Sequence, residues 1–146
     1  MKILSNASEY GIRALLYLAS RSQNNEFISI GKISEDLNIS FHFLTKICQT
    51  LVQHGLLESA RGPAGGITFK RPPTQILLSE VILALEGKNF FDKCVLGLPG
   101  CGDRKPCPFH AFWRVMKLTV KSEFETTTLA TLSSQMLEND LRINPC

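Results

Sequence analysis

Three features of this 146-residue sequence predict a mainly α-helical fold. Apolar residues recur with helical period along most of the chain, from Tyr10–Leu18 to Leu129–Met136. One segment, 56–70, reads instead as two short strands about a Gly-rich turn. Residues that cap helices stand at the heads of the periodic runs, and glycines follow two of them.

The length suits one domain with a real core. Mean hydropathy is near zero, and no stretch approaches the ~18 apolar residues of a membrane span. The N-terminal "MKILSNASEYGIRALLYLAS" is no signal peptide, because Glu9 and Arg13 interrupt it with helical period. A cytoplasmic chain with reduced thiols is therefore expected. The net charge is +3, and residues 1–75 carry all of it, with eight Lys/Arg against five Asp/Glu. Residues 76–146 balance at eight of each. A basic half beside a neutral one suits a polyanion-binding region joined to another function.

The first helix is predicted over Ser5–Arg21. Ile12, Leu15, Leu16 and Ala19 form one stripe, and Tyr10, Ala14, Tyr17 and Leu18 form a second. Such a helix needs cover on two sides, from the rest of the chain or from a second subunit. Ser29 then caps a short helix with Ile30, Ile33 and Leu37 inward. After the turn "NIS", Ser40 caps a helix burying Leu44, Ile47, Cys48, Leu51 and Val52, which ends at Gly55. Two helices joined in this way make a helix-turn-helix. On the outer face of the second helix lie His42, Lys46, Gln49 and Gln53, with Thr45 beside them and no acid among them. Such groups donate to base edges and phosphates. "LLESARGPAGGITFK" follows as a hairpin with Arg61 at its tip. The fold class is thus a winged helix-turn-helix with a two-stranded wing.

Pro72 and Pro73 keep the next segment non-helical. Ser79 is expected to cap a short helix that runs through Glu86 and ends at Gly87. A long helix is expected from Pro108, with Phe109, Phe112, Trp113, Met116, Val120 and Phe124 on one stripe. That aromatic area exceeds what a winged helix can bury. We therefore expect a dimerisation helix that packs on its symmetry mate and on the first helix. Thr128 caps a last helix carrying Leu129, Leu132 and Met136. The organisation is a DNA-binding region over 1–75, a short helix and cysteine loop over 76–107, and a dimerisation region over 108–146.

The loop "CVLGLPGCGDRKPCPFH" holds three of the five cysteines and one of the three histidines. Cys48 is a core residue by its place in the helix, and Cys146, the last residue, is expected to be exposed. Six residues separate Cys94 from Cys101, five separate Cys101 from Cys107, and two separate Cys107 from His110. His110 shares a polar helix face with Arg114, Lys117 and Lys121, so it is not a core histidine. A disulfide leaves one cysteine over and is disfavoured where thiols stay reduced. Zinc accepts three Cys and a His but usually takes closer pairs. An iron–sulfur cluster suits thiolates spread over an open loop, and Lys93, Arg104 and Lys105 offset its charge. Spacing favours a cluster and leaves zinc open.

The helix "ISFHFL", the wing "RGPAGG" and the loop ending "PCPFH" together resemble the IscR/NsrR (Rrf) family of winged helix-turn-helix regulators over nearly the whole chain. The resemblance implies a homodimeric transcription regulator that binds double-stranded operator DNA, is not an enzyme, and has neither a membrane nor a small-molecule substrate as partner. It implies an iron–sulfur cluster, 2Fe-2S ahead of 4Fe-4S, that reports iron–sulfur status, oxidants or nitric oxide. Cys94, Cys101 and Cys107 would be ligands, with His110 fourth, or Glu9 of the partner subunit in its place. The DNA contacts would be Ser40, His42, Phe43, Thr45, Lys46 and Arg61, and Gln49 joins them from the outer face of the same helix.

Overall fold

The computed structural model describes residues 1–21 and 25–144; Cys146 lies outside them. Among these residues are six α-helices and one two-stranded antiparallel sheet. Helix α1 (Asn6–Arg21) lies at the centre and buries Ala14, Leu15, Leu16, Tyr17 and Leu18. The two-sided cover it requires comes from its own chain. Helix α6 (Leu129–Glu138) packs on it, and so do α2 (Ile30–Leu37), α3 (Phe41–Gln53) and α4 (Leu78–Glu86). The closest approach is at Gly11, where an added Cβ would lie 2.6 Å from Leu85 Cδ1 and 3.2 Å from Ile47 Cγ2. The side chains of α4 and α3 thus meet on α1.

The helix-turn-helix forms as its caps predict. Ser29 Oγ accepts from Lys32 N at 3.2 Å, and Ser40 Oγ accepts from Phe43 N at 3.4 Å. Asn38, at φ 54°, makes the left-handed turn between the two helices and brings Ile39 into the core. Leu44, Ile47, Cys48 and Leu51 are buried on α3, and Gly55, at φ 76°, follows its end.

The wing pairs β1 (Leu57–Ala60) with β2 (Gly66–Phe69) in the register Leu57–Phe69 to Ala60–Gly66. The sequence had not suggested a third contact. Ile28 bridges Ile67 through both backbone bonds, at 3.0 and 2.9 Å, and so ties the wing to the start of α2. This approach demands glycine at position 66. Its φ is +144°, and a Cβ there would meet Ile28 O at 2.1 Å.

Four expectations are corrected. Pro73–Gln75 forms a 3₁₀ turn in the proline segment. Ser79 does not cap α4. Leu78 N donates to Thr127 O and Leu129 N to Ile76 O, and this bridge fixes Leu77 as the N-cap residue. Glu80 reaches back to accept from Leu77 N at 2.9 Å. The long helix α5 (His110–Thr126) starts two residues later than expected, because Cys107–Phe109 form a turn with His110 N on Cys107 O. Within the chain α5 packs chiefly on α4, and α6 takes the place expected for it on α1.

The aromatic stripe on α5 divides accordingly. Trp113, Val120 and Phe124 are half-buried, whereas Phe109, Phe112 and Met116 are exposed, together with Val115 and Leu118. No helix among the described residues is long and apolar enough to cross a membrane.

Candidate nucleic-acid interface and cysteine site

On α3, His42, Lys46 and Gln49 project from the face opposite the core and are exposed. Arg61 is exposed at the wing tip. Thr45 is half-buried, and its hydroxyl donates to Phe41 O at 2.8 Å. Ser40 is exposed, with its hydroxyl engaged as the cap. Between helix and wing lies a crevice of about 400 Å³ bordered by Thr45, Gln49, Gln53, Ser59 and Arg61. Hydroxyl, amide and guanidinium groups thus share one concave surface without a carboxylate. Such a surface donates to nucleic-acid edges and phosphates.

Phe43 departs from this set. Its ring packs edge-on against Tyr10 at 5.6 Å, so it anchors α3 to α1. The exposed aromatic is Phe41, which the sequence reading passed over. Spacing could have separated the two, because Phe43 stands one turn before buried Ile47 and Phe41 one turn before Thr45.

Cys48 lies behind the face, 2% exposed, and burial pushes its thiol pKa up to about 12. It is a packing group.

The cysteine loop leaves α4 at Gly87, makes a 3₁₀ turn over Phe90–Asp92 and returns at His110. Trp113 Nε1 donates to Lys93 O at 2.9 Å and holds the loop's start against α5. The three loop thiols are free and half-buried. Cys94 Sγ lies 3.8 Å from Cys107 Sγ and accepts from Leu96 N at 3.4 Å. The amides of Leu96 and Leu98 hold the Cys94 thiol below its ordinary pKa against the opposing effect of burial, and Cys107 and Cys101 add to the lowering. Lys117 Nζ approaches Cys101 Sγ at 3.3 Å, and Cys101 Sγ lies 3.8 Å from His110 Nδ1. A crevice of about 460 Å³ opens beside Cys94 and Cys101.

His110 is buried against the loop, not in the main core, and its Nε2 bonds Asp103 at 2.9 Å. That hydrogen bond, with the charge of Arg114, holds the Asp103 carboxyl below its usual range. Asp103 had not been singled out in the sequence, and Lys117 had been placed only on the polar helix face of His110. Lys117 falls two turns after His110 on the face already recognised as polar.

Glu9 lies on the first turn of α1, half-exposed, where it pairs with Lys2 at 3.0 Å. Close by, Glu86 at the end of α4 accepts from Ser8 Oγ at 2.6 Å and from Ser5 N at 2.7 Å. Among the described residues, no three His, Cys, Asp or Glu side chains come close enough together to hold a single metal ion. The donor set itself is three sulfurs and a buried imidazole, with an ammonium and backbone amides directed at the sulfurs. That chemistry fits an anionic cluster of iron and sulfide.

The Rrf2 family, described as iron-dependent transcriptional regulators, matches residues 4–135. The chain belongs to the Rrf2 family. Its Rrf2 relatives include the regulator IscR of Xenorhabdus nematophila, 32% identical over 134 residues that cover 92% of this chain and 77% of that protein. IscR of Photorhabdus laumondii is 30% identical over 96% of this chain and 81% of that one. Among solved structures, CymR, the global cysteine regulator of B. subtilis, superposes with a TM-score of 0.76 at 27% identity and covers 92% of this chain and 98% of its own. T. potens IscR, at 22% identity, shares the fold with a TM-score of 0.75 over 97% of this chain and 93% of its own. The Rrf2 relatives are transcription regulators rather than enzymes, and this chain is a transcription regulator of the helix-turn-helix type.

Proposed function

We propose that this Rrf2 regulator is a cytoplasmic homodimer that reads operator DNA with α3 and the wing and senses through an iron–sulfur cluster. The observation that carries the reading is the pairing of Cys94 with Cys107 and of Cys101 with His110, each at 3.8 Å, in the loop between α4 and α5. These four residues would hold the cluster, a 2Fe-2S form ahead of 4Fe-4S, and Glu9 of the partner subunit is the alternative fourth ligand. When bound, the cluster would supply reactivity toward oxidants and nitric oxide and a measure of iron–sulfur supply. Ser40, His42, Thr45, Lys46, Gln49 and Arg61 would meet the duplex, and Phe43 would support them from behind. Residues 1–75 would then form the reading region, 76–107 the sensing loop and 108–146 the dimerising region.

The chain's own residues make the connection. Helix α4 contacts α3, α1 and α5, and its C-terminal end leads directly into the cysteine loop. Pinning the loop at four points fixes the seat of α5 on α4 and thereby the relative setting of two recognition helices in a dimer. Coupling of this kind typically amounts to 1–3 kcal/mol, about 5–150-fold in DNA affinity.

The test is an absorption spectrum with iron and sulfide quantified, on protein purified and handled without oxygen. Visible charge-transfer bands with matching iron and sulfide are expected, together with an operator affinity that changes on cluster removal at fixed salt. A colourless chain that resists reconstitution would overturn the cluster. The second reading is then a thiol sensor, favoured by the 3.8 Å between Cys94 and Cys107, with peroxide giving a disulfide between them. Zinc analysis of the same sample tests the remaining alternative.

A further inference from the structure

Of the three histidines, His42 and His54 are exposed and only His110 is buried. Its two ring nitrogens meet opposite chemistry. Nε2 lies 2.9 Å from Asp103 Oδ1, and Nδ1 lies 3.8 Å from Cys101 Sγ. A carboxylate only accepts hydrogen bonds, so Nε2 carries the proton. Neutral imidazole has a single N–H, which leaves Nδ1 with its lone pair on the sulfur side. The other tautomer would set two acceptors against each other at 2.9 Å and is disfavoured by roughly tenfold or more.

Asp103 itself is 77% exposed, on the loop between Cys101 and Cys107. What holds it is polar. Arg114 Nε lies 3.9 Å from the same Oδ1, one turn along α5 from His110. The imidazole is thus fixed from its far side by an acid that its own helix helps to hold.

We propose that Asp103 is a positioning residue of the cysteine site: its carboxylate locks His110 as the Nε2–H tautomer, so that Nδ1 is the atom presented beside the thiolates. Histidines that ligate metals regularly donate their other N–H to a carboxylate, which sets ring orientation and raises ligand basicity. The proposal rests on the cluster reading above and deepens it. It selects His110 over Glu9 of the partner subunit as the fourth ligand.

The experiment uses the 146-residue chain and two variants, Asp103→Ala and Asp103→Asn. The asparagine is decisive because its amide can accept from Nε2–H or donate to Nε2. It keeps the loop's hydrogen bond but removes the preference between tautomers. Two-bond proton–nitrogen spectra are recorded on reduced, cluster-free protein with nitrogen-15-labelled histidine, well above the ordinary histidine pKa. The His110 signal is assigned with His110→Ala. The wild type is expected to show the Nε2–H tautomer, and both variants a mixture. After anaerobic reconstitution, loss of visible absorbance to an iron chelator should be roughly 10–100-fold faster in both variants than in the wild type.

A wild-type Nδ1–H tautomer would overturn the proposal. So would an Asp103→Asn chain with wild-type cluster lifetime, because Asp103 would then only staple the loop. Unchanged cluster lifetime in both variants, despite the tautomer change, would likewise remove His110 as ligand and favour Glu9 of the partner subunit. A wild-type chain that takes up no iron or sulfide would overturn the cluster reading and the positioning role with it, and the tautomer spectra would still report the Asp103–His110 pairing separately.

Discussion

Cys48 and Cys94 carry the same side chain in opposite surroundings. Cys48 sits in the core behind α3, where burial raises its pKa to about 12, whereas backbone amides draw the Cys94 thiol down. Brief treatment of cluster-free, reduced protein with iodoacetamide should therefore modify Cys94 and spare Cys48 until the chain is unfolded. Peptide mass spectrometry reads the order. Glu86 carries a different consequence. Burial raises its carboxyl, but the bonds from Ser5 and Ser8, with the charge of Lys93, outweigh this and hold it below the ordinary range. A depressed folded-state pKa stabilises the fold above the unfolded value, ~4.3, and that contribution is lost as pH falls through the folded one. Glu86→Gln should cost about 1–2 kcal/mol near neutral pH and little in acid, measured by urea titration at both pH values. Much of the chemistry at this scale was legible, because three cysteines and a histidine in one Gly/Pro-rich loop declare themselves. The Ser8–Glu86 bond was not, since it joins residues far apart in the chain through packing that periodicity does not encode.

At the scale of elements, the caps divide in the same way. Ser29, Ser40 and Thr128 cap as read, because an N-cap bond closes over three residues. Ser79 failed because the start of α4 is set by the backbone bonds of Leu78 to Thr127 and of Leu129 to Ile76, a constraint from the far end of the sequence. The one stripe expected on α5 became two flanks for a related reason: its period names apolar positions but not which of them a neighbour covers. The wing glycines can be tested as a pair with α2. Gly66→Ala would drive a Cβ into the backbone of Ile28 and should cost about 1–3 kcal/mol, with loss of DNA binding as the wing detaches. Gly31, exposed within α2 with open space around it, provides the contrast. Gly31→Ala should be neutral or stabilise by up to about 1 kcal/mol. Thermal melts of both variants beside the wild type decide the matter.

At the scale of the whole molecule, the outer flank of α5 is an unfinished surface. Phe109, Phe112, Val115 and Leu118 are each more than half exposed, a density of apolar side chains that suits the dimer contact proposed above. Phe112→Glu, which places a charge in the middle of that flank, should weaken self-association by about 3 kcal/mol or more, read as monomer by sedimentation equilibrium. It should leave the melting of the monomer's own core nearly unchanged.

The bridge between residues 76–78 and 127–129 gives this flank a mechanical meaning. It fastens the C-terminal end of α5 to the start of α4, while the other end of the helix adjoins the cysteine loop. A rod held at one end and pushed at the other is a lever. The 17 residues of α5 span about 25 Å, so a shift of about 2 Å at His110 swings the rod by about 5° around its fixed end. In the proposed dimer, two such rods laid against each other would each turn about their own anchors, and a rearrangement confined to a few sulfur atoms would open or close the gap between the two proposed DNA-reading heads.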